Sequence, residues 1–139
     1  MRFIMILGLL HLMLHAAFVK EGAVVKETES ALFWQDSEAV ESTSMLYAEA
    51  VTYCQALVIE EKEDWRLPTL IELQTLIDYN RYDPALQRGF HFGLSKVYWS
   101  VSPYANDKDR AWHIDFKSGV SDHSRHSYDY NVRCVRSVK

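Results

Sequence analysis

Two cysteines, no surplus of basic charge and no internal repeat set the first limits on this chain of 139 residues. With only Cys54 and Cys134 there is no CxxC pair, so dithiol redox chemistry is excluded. A formal net charge of −4 argues against wholesale nucleic-acid binding. No Ser-His-Asp order, catalytic carboxylate pair or phosphate loop is visible, so no common reaction class has its residues in place. Low-complexity segments are also missing, and the apolar run at the N-terminus stands alone.

That run begins with one positive charge at Met1-Arg2 and continues from Phe3 to Phe18, interrupted only by His11 and His15. A charged start, an apolar stretch and the small pair Ala16-Ala17 read as a secretory signal peptide over residues 1–17. The alternative is an uncleaved anchor, in which case the protein is membrane-attached. In either case the globular part is expected outside the cytoplasm. About 120 residues remain, enough for one domain with a real core. Residues 18–30 read as a polar lead-in with one edge strand, and residues 31–139 as the domain.

Charge is uneven along the mature part. From Phe18 to Asp107 there are 7 Lys and Arg against 15 Asp and Glu; from Lys108 to Lys139 there are 7 against 4. The basic half also carries His113, His123 and His126, which fits either a face for an anionic partner or arginines paired internally. An even cysteine count in an exported chain favours a disulfide over a reactive thiol.

The strongest local signal is Asp64-Trp65-Arg66-Leu67-Pro68-Thr69 followed by Glu72-Leu73. Thr69 with Glu72 three residues later is a capping box, so a helix is expected from Leu70 to about Asp78, burying Leu70, Leu73 and Ile77. An earlier stripe at Tyr47, Ala50, Val51, Cys54, Leu57 and Val58 has helical spacing, with Ser44 as its N-cap. Asp36 to Thr43 reads as an acidic loop and Asn80 to Leu94 as irregular. Strands are expected at Ala31–Gln35, at Val97–Val101 around Trp99, at Ala111–Phe116 and at Tyr130–Val138. The third places Trp112, Ile114 and Phe116 on one face and His113 and Asp115 on the other. Two helices followed by strands imply α+β, with the helices on a mainly antiparallel sheet.

Several residues invite specific roles. Trp34, Trp65, Trp99 and Trp112 read as core, whereas Tyr98, Tyr104, Tyr128 and Tyr130 have rings that can be offered to a ligand. Arg66 and Arg133, flanked by apolar residues, are expected to pair with carboxylates or backbone carbonyls. His113, His123 and His126 with Asp115 and Asp122 match no closed tetrahedral metal site and read as surface residues. Asn106, Asp107 and Asp109 read as a solvated loop rather than a calcium site. No metal or other cofactor is expected.

In its ordered motifs the chain resembles the family named for the C-terminal domain of the Legionella collagen-like adhesin. The residues that carry the likeness are Leu32, Trp34-Gln35-Asp36, Ala50, Tyr53-Cys54, Asp64 to Thr69, Glu72-Leu73, Tyr98-Trp99-Ser100, Trp112, Asp115-Phe116, Gly119 and Val132 to Arg136. Trp65, Arg66, Pro68, Thr69, Glu72, Trp99 and Arg133 serve as the fold motif. The resemblance implies a C-type-lectin-like fold in a periplasmic or secreted bacterial protein, its first helix tied to its last strand by a Cys54–Cys134 bridge. The calcium- and sugar-ligating triplet of animal lectins has no counterpart here.

Together these readings make the chain a non-enzymatic binding module for a protein or glycan ligand of anionic character. Loops 103–110 and 121–129 are the expected recognition surface, with Arg110, His123, Arg125, His126 and Tyr128 as binding residues. Histidines there would strengthen anion binding below about pH 6.5. Two other readings stand beside it: an enzyme related to the formylglycine-generating group, which would need active-site cysteines, and a structural subunit of an envelope assembly.

Overall fold

A computed structural model describes residues 17–138. The signal-peptide reading therefore lies, but for Ala17, outside the described residues. Among those described, no helix is long and apolar enough to cross a membrane.

Among the described residues, thirteen short elements follow one another. β1 (Phe18–Glu21), β2 (Val24–Glu27) and β3 (Leu32–Gln35) precede α1 (Glu38–Ser42), β4 (Ser44–Met45) and α2 (Tyr47–Ala56). After β5 (Trp65–Arg66) and α3 (Leu70–Gln74) come β6 (Val97–Tyr104), β7 (Asp107–Asp115), β8 (Val120–Arg125), β9 (Tyr130–Asn131) and β10 (Val135–Ser137). The architecture is α+β, but the strands form two five-stranded sheets, ordered β1-β2-β3-β10-β5 and β4-β9-β6-β7-β8. Three short helices accompany them, where two were expected. All strand pairs are antiparallel except β6 with β9, which meet in parallel at Tyr98 and Asn131.

Local chemistry explains most element boundaries. Thr69 caps α3 as expected: its hydroxyl accepts from Glu72 N at 3.1 Å, and Glu72 Oε1 accepts from Thr69 N at 2.9 Å. Both Glu72 oxygens also receive the Arg66 fork, at 2.6 and 2.7 Å. The helix ends at Gln74 rather than near Asp78, because Leu76 N and Ile77 N bond back only three residues, to Leu73 and Gln74. That tighter pitch brings Leu76 into the core beside Leu73 and Ile77.

Helix α2 buries Ala50 and Cys54 as its stripe predicts, but it stops at Ala56, leaving Val58 57% exposed. Its N-cap is Leu46, whose N–H donates to Glu49 Oε2. Ser44 instead pairs with Asn131 in the second sheet. Where an acidic loop was expected, fully buried Val40 anchors α1. The lead-in forms a β1–β2 hairpin rather than one edge strand.

The expected last strand is split. Tyr130–Asn131 belongs to the second sheet and Val135–Ser137 to the first, with Val132 to Cys134 crossing between them. Cys134 on this crossover is bonded to Cys54 on α2, with 5.5 Å between Cα atoms. Around Tyr98 and Ile114 the second sheet is covered on both faces. Tyr98 and Ile114 join a cluster with Trp34, Leu73 and Phe116, while neighbouring Trp99 and Ala111 join Cys54, Trp65 and Cys134. Tyr98, proposed from sequence as a ligand-facing ring, is fully buried.

Arg133, on the same crossover, is 1% exposed and holds the irregular segment in place. Its guanidinium donates to Gln35 O and Phe92 O, each at 2.6 Å, and lies 3.2 Å from Asp36 Oδ1. It also sits over the Phe90 ring, 4.6 Å from the centroid. Asp36 accepts from His91 N and Phe92 N at 3.0 Å and pairs with Lys20 at 2.7 Å. Burial alone would raise the Asp36 pKa; the Lys20 contact, the two amides and Arg133 overcome that and hold it below the ordinary carboxylate value. Segment 80–94 is thus without regular structure yet pinned.

Candidate functional site

Much of what reads as recognition loop is strand. Asp107 to Arg110 opens β7, and Val120 to Arg125 is β8, the edge of the second sheet. Charged and polar residues suit an edge, where they discourage pairing with another chain, and they obscure the strand pattern in the sequence.

The register sorts the candidate residues between faces. Arg110 lies opposite Arg125, and Trp112 opposite His123. Facing residues on paired strands share a side, so these four project together. Tyr104 joins them: its ring stacks on His123 with centroids 3.7 Å apart and planes at 9°. Trp112 stands edge-on to both, 5.6 Å from Tyr104 and 5.4 Å from His123. It is half-buried at the surface rather than in the core.

Arg110 Nη1 lies 3.3 Å from His123 Nδ1, and its Nε lies 3.5 Å from Asp107 Oδ2. A guanidinium only donates, so the Nδ1 it meets acts as acceptor and the neutral ring carries its proton on Nε2. Asp107 also accepts from Asp109 N at 3.0 Å. Among the described residues, no group of three or more His, Cys, Asp or Glu is placed to hold a metal ion.

His126 and Tyr128 lie apart from that group, on the α2 side of the sheet. The His126 ring stacks on Tyr47 at 4.0 Å, and its Nε2 is buried without a hydrogen-bond partner. Tyr128 is 55% exposed and stacks loosely on Tyr130, which abuts Trp99. His113 is buried on this side too, its Nε2 2.8 Å from Ser124 Oγ, which in turn lies 2.7 Å from Tyr130 Oη. Reading His113 as a surface residue is therefore overturned, while His126 is half-buried. His113 lies between Trp112 and Ile114 on β7, and the side of the strand it occupies faces inward, toward Trp99 and Tyr130.

Burial lowers the His113 pKa; Asp122 and Asp115 pull it up and His123 pushes it down, but the net direction is below the ordinary histidine value. A histidine held neutral stabilises the fold fully above its unfolded value near pH 6.5, and that contribution is lost as pH falls toward its depressed folded value. The melting temperature should therefore drop below about pH 6.5, and His113→Gln should flatten the drop. Parallel pH–melting curves for the two proteins would refute this reading.

Sequence reasoning named Arg110, His123 and Arg125 and offered Tyr104 as a ligand-facing ring, but it assigned Trp112 to the core. Trp112 reads as core because it alternates with apolar Ile114. The face it shares passes from the α3-covered core at Ile114 to open surface within one strand repeat. Both cysteines are engaged in the disulfide, so thiol chemistry of the formylglycine-generating kind has no nucleophile in this chain.

Residues 23–136 match the family model described as the Lcl C-terminal domain. No curated protein matches the chain.

Proposed function

The chain belongs to the Lcl C-terminal domain family, an adhesin-associated module, and from that placement we propose an exported, non-enzymatic binding protein that recognises a protein or glycan ligand through its C-terminal half. The observation that carries this reading is the Tyr104–Trp112–His123 surface with Arg110 and Arg125 beside it. Aromatic rings and guanidinium groups supply large contact area and directed hydrogen bonds, and here strands rather than loops hold them. The disulfide supports folding in an oxidising compartment, periplasmic or extracellular.

The two arginines favour an anionic ligand, such as a sulfated glycan or an acidic protein surface, whose binding weakens with salt. Screening the exported domain against glycan and envelope-protein panels identifies that ligand. For the ligand found, Arg110→Ala with Arg125→Ala is expected to weaken binding about tenfold or more without lowering the melting temperature. Tyr128→Ala, on the other side of the sheet, should have a smaller effect. Unchanged affinity in the double arginine variant, with loss in Tyr128→Ala, would move recognition to the α2 side.

A further inference from the structure

The first sheet carries a cleft that the proposed recognition surface does not use. Its volume is about 210 Å³, and its floor is apolar: Val24 on β2, Phe33 on β3, Trp65 on β5 and Ile59 above them. Register explains the floor, because Phe33 faces Lys26 and Arg136, and Arg136 faces Trp65, so their side chains share one face.

Charges of opposite sign line it. At the β1–β2 turn, Glu21 lines the cleft, and Glu60 is fixed beside it by accepting from Ala23 N at 3.1 Å. Arg136 lies on β10 and Lys62 beside Trp65, whose indole N–H donates to Lys62 O at 3.0 Å. Among the described residues none of these four charges forms an ion pair. Arg136 donates its Nε to Glu63 O, which leaves its terminal nitrogens available. Three strand spacings separate β1 from β10, about 14 Å between backbones, and the side chains narrow that from both ends.

The wall over this floor is held in unfavourable backbone. Ile59 and Lys62 pair as a small hairpin whose tip residues Glu60 and Glu61 have φ of 53° and 64°, and Asp64 follows at 66°. Such positions suit glycine or asparagine, so acidic residues there carry a backbone cost that the surrounding contacts offset.

We propose that this cleft binds a linear ω-amino carboxylate: an ammonium group against Glu21 and Glu60, a methylene chain over Phe33 and Trp65, and a carboxylate against Lys62 and Arg136. An α-amino acid fits less well, because its two charges are adjacent whereas Glu21 and Arg136 stand on β1 and β10, three strand spacings apart. The site is independent of the Arg110 surface, so either can fail alone.

Titration with 6-aminohexanoate, followed by the NMR signal of the Trp65 indole N–H, tests the assignment. Saturable shifts are expected, with hexylamine and hexanoate each binding at least about tenfold more weakly because one charged contact is missing. Glu21→Gln should weaken 6-aminohexanoate but not hexanoate; Lys62→Gln should weaken it but not hexylamine. Both side chains are exposed, and unchanged melting curves would establish that the variants remain folded. Absence of saturation up to about 10 mM, or equal binding of the three compounds to the unmodified protein, overturns the proposal.

Discussion

Arg133→Met is expected to destabilise the domain by about 3–5 kcal/mol, a large fraction of the roughly 5–15 kcal/mol that keeps an ordinary domain folded. The loss has two sources. Asp36, fully buried, keeps Lys20 and two amides but loses its nearest buried cation. Gln35 O and Phe92 O lose a guanidinium donor at 2.6 Å each, and buried carbonyls without donors are costly. Equilibrium urea unfolding measures the effect. Adding Asp36→Asn to the variant should restore part of the loss by removing the stranded charge. A midpoint in Arg133→Met equal to that of the parent would show that the crossover is held by packing alone. The pair's contribution also has a pH limit: Asp36 titrates below the ordinary carboxylate value, so its stabilisation is present above about pH 4 and is lost as pH falls through that lower value.

Removing the disulfide should have an effect of similar size. Cys54 and Cys134 close a loop with a sequence separation of 80, for which the chain-entropy relation gives about 4 kcal/mol. Both cysteines are fully buried, so Cys54→Ala with Cys134→Ala is the clean test; serine would add two buried hydroxyls. The double variant is expected to unfold at much lower denaturant, and the parent should approach it when a reductant is present. Equal midpoints for oxidised parent and double variant would mean that the crossover is positioned without the bond.

What the sequence discloses and conceals follows the range of each interaction. The α3 capping box was legible because Thr69 and Glu72 are neighbours along the chain, and Arg66 lies only six residues from its partner. The strands around Trp99 and Ala111–Phe116 were legible from their alternation, and Cys54 from its place on a helical stripe. The apolar neighbours of Arg133 marked it for an internal pairing, but Asp36 was not legible as its partner, since they lie 97 positions apart in the chain. The division into two sheets was hidden for a related reason. A run such as Tyr130 to Val138 looks the same whether it stays in one sheet or crosses to another. At the candidate site, Arg110 and His123 were found by residue type. Tyr104 was named as a ligand-facing ring, but its stacking on His123 and the surface place of Trp112 needed the folded chain.

The position of β10 governs when this domain can fold. It is inserted between β3 and β5, although both precede it by more than sixty residues in the chain. A polypeptide emerging N-terminus first therefore presents the Trp34 and Trp65 strands with an empty lane between them. Neither the first sheet nor the Cys54–Cys134 bond can close until Val132 to Ser137 have arrived. Such long-range closure is slow, because the loop-closure entropy is lost before the contacts that offset it can form. The topology works as a timer, holding the first sheet open until nearly all of the domain has been made.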